Sequence, residues 1–315
     1  MIRAPEAGPP RSPASGAEAG PGPVGEQSRA RYPDRTGYAE VDGVRSFYEV
    51  YGEGEPTLLF VPTWTIITSR VWKPQIPYFA RRHRVVTFDP RGNGRSDRPA
   101  SADAYAETEF GKDILAVMDA AGVERAVLVS LSAGAERSLV AAAAAPQRIT
   151  GLVFTGPSVP LGERVADRTI DFEAELSDEG WARYNRHSWR RDYQGFLEFF
   201  FSKCFTEPHS TKQIEDAVGW GQETDGETLI LTRDSAELGP ATVKAFCRAV
   251  RCPSLVIQGL EDAISGPSRG ISLAQEIPDA RLVTIAGGGH IPNARDPVLV
   301  NLLIRDFLRS VRGAE

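Results

Sequence analysis

Ala126-Val127-Leu128-Val129-Ser130-Leu131-Ser132-Ala133-Gly134 is the run from which the architecture of this 315-residue chain follows. Its first four residues are apolar without interruption, as a strand buried on both faces requires. After Gly134 an alanine-rich run with helical composition continues to Ala145-Pro146. A strand, a tight turn centred on a serine and then a helix is the setting in which a G-x-S-x-G pattern carries chemistry. The turn holds its serine in a strained conformation with the hydroxyl above the sheet, so the residues two places either side must be small. Those places hold Ser130 and Gly134, a sterically mild departure from two glycines. Taken alone, such a serine also reads as a plain helix N-cap. Its surroundings must decide.

On both sides of this run the chain alternates between strand and helix signals. Short apolar runs at 58–61, 84–88, 151–154, 254–258 and 281–285 predict buried strands. Helices are predicted at 71–82, 107–121, 271–276 and 298–311, the first with Trp72, Ile76, Phe79 and Ala80 in register but with Pro74 and Pro77 against it. Residues 37–41 and 44–51 read as a β-hairpin about Asp42-Gly43. The fold class is therefore α/β, with a mainly parallel central sheet flanked by helices. Residues 157–238 break the alternation and are rich in aromatic side chains, which predicts a helical cap inserted between core segments 34–156 and 239–315. Residues 1–33, rich in Pro, Gly, Ala and Ser, carry too little apolar surface to offset ordering and read as disordered.

Composition narrows the function. A net charge of −6 with no sustained basic run argues against a nucleic-acid partner. No apolar stretch is long enough for a signal peptide or a membrane span, so no membrane partner is expected. Cys204, Cys247 and Cys252 are odd in number and lack metal-site spacing, which fits a reducing, cytoplasmic setting.

Two further residues fall where Ser132 falls, just past the carboxyl end of a predicted parallel strand. Asp262 ends the turn Gly259-Leu260-Glu261-Asp262, with Glu261 its competitor. His290 ends the loop Ala286-Gly287-Gly288-Gly289-His290. That edge of an open α/β sheet is where ligands and reacting groups meet. Of the remaining histidines, His83 reads as surface, whereas His187 and His209 fall in the insertion, where they could line a pocket. Glu136 lies one helical turn beyond Ser132 and is expected to pair with an arginine. Arg183, Arg186, Arg190 and Arg191 read as a solvated basic face rather than an anion site.

The order Ser…Asp…His, together with Asp89-Pro90-Arg91-Gly92-Asn93-Gly94-Arg95-Ser96-Asp97-Arg98-Pro99, resembles the α/β-hydrolase superfamily and its D-x-R-G-x-G-x-S loop. The resemblance runs from Gly37 to the C-terminus. It implies Ser132 as nucleophile, His290 as its base and Asp262 as the group that fixes the imidazole tautomer. The Ala133 N–H would be one oxyanion donor. The second would follow the third strand, where members carry His-Gly and this chain has Val61-Pro62-Thr63-Trp64-Thr65; Trp64 is the choice and Thr63 the competitor. The implied reaction is hydrolysis of a carboxylic ester, lactone or thioester through an acyl-enzyme, with no metal or organic cofactor. Carbon–carbon bond hydrolysis and perhydrolysis stay open on the same residues. So do acyl transfer and a catalytically silent ligand-binding or regulatory module. Trp64, Trp181, Trp189 and Phe200 are the candidate walls of a pocket for a small apolar or aromatic acyl group.

Overall fold

The computed structural model describes residues 31–174 and 179–312. Most of the stretch expected to be disordered, residues 1–30, lies outside them. Among the described residues no helix is long and apolar enough to cross a membrane.

The chain opens with the expected hairpin, β1 (Arg35–Val41) and β2 (Val44–Tyr51). Asp42 and Gly43 both take positive φ, 51° and 80°, as the turn that matches strand twist demands. Six more strands follow: β3 (Leu58–Val61), β4 (Val85–Phe88), β5 (Ala126–Leu131), β6 (Ile149–Thr155), β7 (Ser254–Gly259) and β8 (Ala280–Ile285). They form one sheet in the order β1-β2-β4-β3-β5-β6-β7-β8. The pairs β1–β2 and β2–β4 are antiparallel, and all the others are parallel. The sheet is therefore mainly parallel, with helices on both faces.

Alternate side chains of each strand feed two different cores, because successive residues point to opposite faces. Leu58, Phe60, Val127, Val129, Val153, Leu255 and Ile257 pack with Trp72, with Val300 and Ile304 of the helix Pro297–Arg312, and with aromatics between β6 and β7. Leu59, Val61, Leu128, Leu152, Phe154 and Val256 pack beneath the helices Glu107–Ala121, Gly134–Ala144, Pro240–Ala249 and Pro267–Glu276. Burial on both faces explains why these strands read as unbroken apolar runs.

One helix is corrected. Residues 71–82 form no continuous helix but a 3-10 turn, Ser69–Trp72, and a four-residue helix, Ile76–Phe79. Pro74 has no N–H to give, and Pro77 is tolerated only because it falls in the first turn of the second piece. The apolar spacing still does its job, since Trp72, Ile76 and Phe79 are all buried.

Between β6 and the helix Pro240–Ala249 lie the α-helices Arg186–Arg191, Tyr193–Cys204, Thr211–Gly221 and Gly226–Asp234. Three of the four are capped by their own sequence: Asn185, Asp192 and Asp225 accept the N–H of Ser188, Gly195 and Thr228.

The loop after β4 is built around charges. Asp89 accepts the Ser69 N–H at 3.1 Å and its hydroxyl at 2.8 Å, and the Arg95 N–H at 3.1 Å. Arg91 meets Asp113 in a bidentate pair at 2.7 Å on both arms, with both side chains almost wholly buried. Removing one partner strands a buried charge. Arg91→Met should therefore lower stability by about 3–5 kcal/mol, measured by urea denaturation; a loss under about 1 kcal/mol, typical of exposed pairs, would contradict this account.

Candidate active site

Ser132 closes β5 in the left-handed region, with φ 53°. Its N–H donates to the Thr155 carbonyl at 3.1 Å, and its carbonyl accepts the N–H groups of Ala135 and Ser158, each at 3.0 Å. The small residues around it have physical reasons. A Cβ on Gly134 would stand 2.6 Å from the Pro62 carbonyl oxygen, and one on Gly156 would stand 2.2 Å from that of His290. Ser130 is tolerated because its hydroxyl donates to the Val153 carbonyl at 3.1 Å.

The structure brings Ser132, His290 and Asp262 together. His290 Nε2 lies 2.9 Å from Ser132 Oγ, and His290 Nδ1 lies 2.8 Å from Asp262 Oδ2. All three side chains are buried, whereas the competitor Glu261 is exposed. Asp262 Oδ1 accepts the N–H groups of Ile264 and Ser265, both at 2.9 Å, and Oδ2 accepts Gln258 Nε2 at 3.2 Å. Burial pushes this carboxyl up, but the attraction and hydrogen bond of His290 and the two amides outweigh it and hold the group below its ordinary value. An ionised Asp262 can only accept, so Nδ1 carries the hydrogen and Nε2 offers its lone pair to the Ser132 hydroxyl.

The histidine loop is held from the insertion. Two groups at or just past the end of the helix Tyr193–Cys204 reach it, and a third reaches the turn that carries Asp262. The His290 N–H donates to the Cys204 carbonyl at 2.9 Å, the Gly289 N–H to Glu207 Oε1 at 2.7 Å, and Thr206 Oγ1 to the Glu261 carbonyl at 3.2 Å. A Cβ on Gly289 would sit 2.8 Å from the Cys204 carbonyl oxygen. Only glycine fits there.

The segment that replaces His-Gly is fixed on both sides of Trp64. Arg137 Nη1 donates to the Thr63 carbonyl, and Asn93 Nδ2 donates to the Thr65 carbonyl, both at 2.6 Å. Arg137 is itself buried, paired with Glu107 at 2.9 Å and centred 3.4 Å above the Phe110 ring. Among the described residues the N–H groups of Trp64, Thr63 and Ala133 donate to no loop or turn carbonyl. Sequence reasoning missed Arg137, Asn93 and Glu207; their partners lie dozens of positions away.

The expected pocket aromatics do meet. Trp64 lies 5.7 Å from Trp189 and 5.8 Å from Phe200 between ring centres. Tyr184, not singled out beforehand, sits among them at 5.9 Å from Trp64 and 5.0 Å from Trp189, and links Trp181 at 6.4 Å. Trp189 and Phe200 are buried, while Trp64 and Trp181 are partly buried. His187 and His209 are exposed and line nothing in this cluster. Among the described residues no three His, Cys, Asp or Glu side chains converge as a metal site.

Glu136 corrects another expectation. It makes no ion pair among the described residues; its neighbour Arg137 turns to Glu107 instead. Burial, reinforced by the negative charge of Glu107, pushes the Glu136 carboxyl up to about 8.

A model of the alpha/beta hydrolase fold family matches residues 56–297. The chain belongs to that family, and it is an enzyme of the hydrolase class. Among its relatives is RutD of Azorhizobium caulinodans, named as a candidate carbamate hydrolase, 25% identical over 86% of this chain and 97% of RutD. Est816, described as an N-acyl homoserine lactone degrading enzyme, is 26% identical with a TM-score of 0.69, over 86% of this chain and all of its own. The enol-lactonase of Burkholderia xenovorans LB400 shares the fold at 23% identity and a TM-score of 0.72, over 87% of this chain and all of its own.

Two outcomes follow from this geometry. Glu207→Ala frees the Gly289 amide, and small misplacements of a base cost about tenfold to a hundredfold in turnover. The loss should fall on kcat with KM little changed; an unchanged kcat would remove Glu207 from the support of His290. For Glu136, the unfolded carboxyl titrates near 4.5 and the folded one near 8. The folded state therefore keeps a proton that the unfolded state has lost, so this contribution is full below 4.5 and fades as pH rises towards 8. Glu136→Gln removes the titration. Its stability relative to the parent should rise between about pH 5 and pH 8 by on the order of a few kcal/mol, and parallel denaturation curves would refute this.

Proposed function

We propose that this protein hydrolyses a carboxylic ester, lactone or thioester through an acyl-enzyme on Ser132. The observation that supports this best is the continuous hydrogen-bond chain from Ser132 Oγ through His290 to Asp262 at 2.9 and 2.8 Å. His290 Nε2 takes the serine proton as Oγ attacks the carbonyl carbon. The imidazolium formed is stabilised by Asp262, and the same nitrogen then returns the proton to the leaving oxygen or sulfur. Water repeats the sequence to free the acid. The Ala133 and Trp64 N–H groups are our choice of donors to the oxyanion, a role any backbone amide can fill when it is aimed correctly.

In this reading residues 157–238 act as a cap, and Trp64, Trp181, Trp189 and Phe200, joined by Tyr184, border the acyl site. The lost His-Gly does not weaken the proposal, because Arg137 and Asn93 hold the carbonyls on either side of Trp64. The names of the relatives favour including a carbamate as a second carbonyl class. Its attack would leave a carbamoyl-serine.

The test is turnover of a p-nitrophenyl ester series, acetate to decanoate, with a lactone and a carbamate alongside. Ser132→Ala and His290→Ala should each lower kcat by about 10⁴-fold or more, and a fluorophosphonate should label the parent but not Ser132→Ala. Labelling without turnover of any of these would move the reaction to a carbon–carbon bond or to peroxide as acceptor. Neither labelling nor turnover would overturn the serine mechanism.

A further inference from the structure

The arginines of the inserted helices are engaged with protein groups. Arg186 pairs with Glu173 and Asp234, Arg190 with Glu227, and Arg183 donates to the Gly195 carbonyl. Two other arginines differ. Arg168, in the segment after β6, and Arg269, in the first turn of the helix Pro267–Glu276, have no acidic partner among the described residues. Each uses Nη1 on one carbonyl, Arg168 on that of Ile264 and Arg269 on that of Val159 at 2.8 Å.

Those carbonyls tie both side chains to the segments that hold Asp262 and Ser132. The Ile264 N–H donates to Asp262 Oδ1 at 2.9 Å, and Val159 follows Ser158, whose N–H donates to the Ser132 carbonyl at 3.0 Å. The Arg168 guanidinium also lies over the rings of Trp181 and Tyr184, at 4.7 and 5.4 Å. It thus closes one side of the aromatic cluster around Trp64.

Among the described residues Nε is buried without an acceptor in both arginines, as it is in Arg186 and Arg233. Those last two satisfy their charge with a carboxylate through another nitrogen, and Arg168 and Arg269 do not. The unused edge, Nε with Nη2, is the one with which Arg91 grips Asp113. Burial first, then the like charges of Arg168 and Arg164, hold the Arg269 guanidinium below its ordinary value. The charges of Asp262 and Glu136 oppose that shift, but Asp262 is bonded to His290 and Glu136 forms an ion pair with neither arginine among the described residues. Two adjacent cations with idle bidentate edges lack one component, an anion of carboxylate geometry.

We infer that Arg168 and Arg269 form a carboxylate subsite, and that the preferred substrates carry a carboxylate in the acyl portion, remote from the carbonyl that Ser132 attacks. The acyl chain runs from the Trp64 segment through the aromatic cluster, and its far end meets the guanidinium of Arg168 with Arg269 behind it. This inference rests on the acyl-enzyme reading above. No bond beyond those of that mechanism is made or broken; the arginines bind and orient.

The test compares mono-p-nitrophenyl succinate, glutarate and adipate with the uncharged esters of the same chain length. The ratio of kcat/KM, charged over neutral, should exceed about ten for the best length. Arg168→Gln and Arg269→Gln should each lower that ratio about tenfold or more, while Arg168→Lys, which keeps the charge but loses the two-pronged donor edge, should fall between the parent and Arg168→Gln. Calorimetric titration of free succinate, glutarate and adipate into Ser132→Ala should show saturable binding for at least one diacid, lost when Arg168→Gln is added. Turnover of the neutral esters with a ratio near one, or a ratio that ignores both arginines, overturns the subsite and leaves the acyl-enzyme mechanism standing. No turnover of any ester, with diacid binding that depends on Arg168, does the reverse. Absence of diacid binding to Ser132→Ala also overturns the subsite.

Discussion

The conformation of Ser132 is the constraint on which the rest depends. At φ 53° a residue with a Cβ pays about 1–3 kcal/mol in backbone strain, so the surroundings must impose it. They do so from both flanking strands of chain. Thr155, at the end of β6, takes the Ser132 N–H, and Ser158, just beyond, donates to its carbonyl. The helix that starts at Gly134 approaches the Pro62 carbonyl too closely for any side chain, and Gly156 does the same to the His290 carbonyl. Segments after β3, β6 and β8 thus converge on one turn, and those after β3 and β8 carry Trp64 and His290.

A second level of organisation fixes those groups. Asp262 loses hydration on burial, yet His290 and the amides of Ser265 and Ile264 give its ionised form more than burial takes away. The direction of that balance decides the histidine tautomer, and the tautomer decides whether Nε2 can accept a proton. The loop 89–99 and Arg137 play the matching part for Trp64. Neither touches the serine. They set the backbone that would face the oxyanion, so the loop's glycines and the buried Arg91–Asp113 pair are structural parts of the site.

The sequence was legible where the cause was local. Ser132, Asp262 and His290 could be found because each follows a short apolar strand with small or turn-forming residues beside it. Asp42-Gly43 located the hairpin, and the helix Glu107–Ala121 matched its apolar period to the residue. The region 71–82 failed because its apolar spacing was correct while its prolines forbade the hydrogen bonds. Glu136 failed differently. Helical spacing gave its face correctly, but the choice of partner went to Glu107, thirty positions from Arg137. Glu207, Asn93 and Tyr184 act through contacts between distant segments, and no local pattern marks such residues.

The charges show what the fold leaves unresolved. Arg91 has Asp113, Arg137 has Glu107, and Asp262 has His290. Glu136, without a partner, answers burial by holding its proton. Arginine has no such escape near neutral pH, because even a depressed guanidinium stays charged. Arg168 and Arg269 must therefore keep their charges side by side, each with a buried donor lacking an acceptor. The fully buried arginines, Arg91 and Arg137, each have a carboxylate partner, which the half-buried Arg168 and Arg269 lack among the described residues. Asp262 and Glu136 offset part of this repulsion at Arg269 without forming an ion pair with it, and an anion from outside would complete the relief. A substrate carboxylate would supply it while bringing the scissile carbonyl to Ser132, so the electrostatic cost of the empty site becomes selectivity when the site is filled.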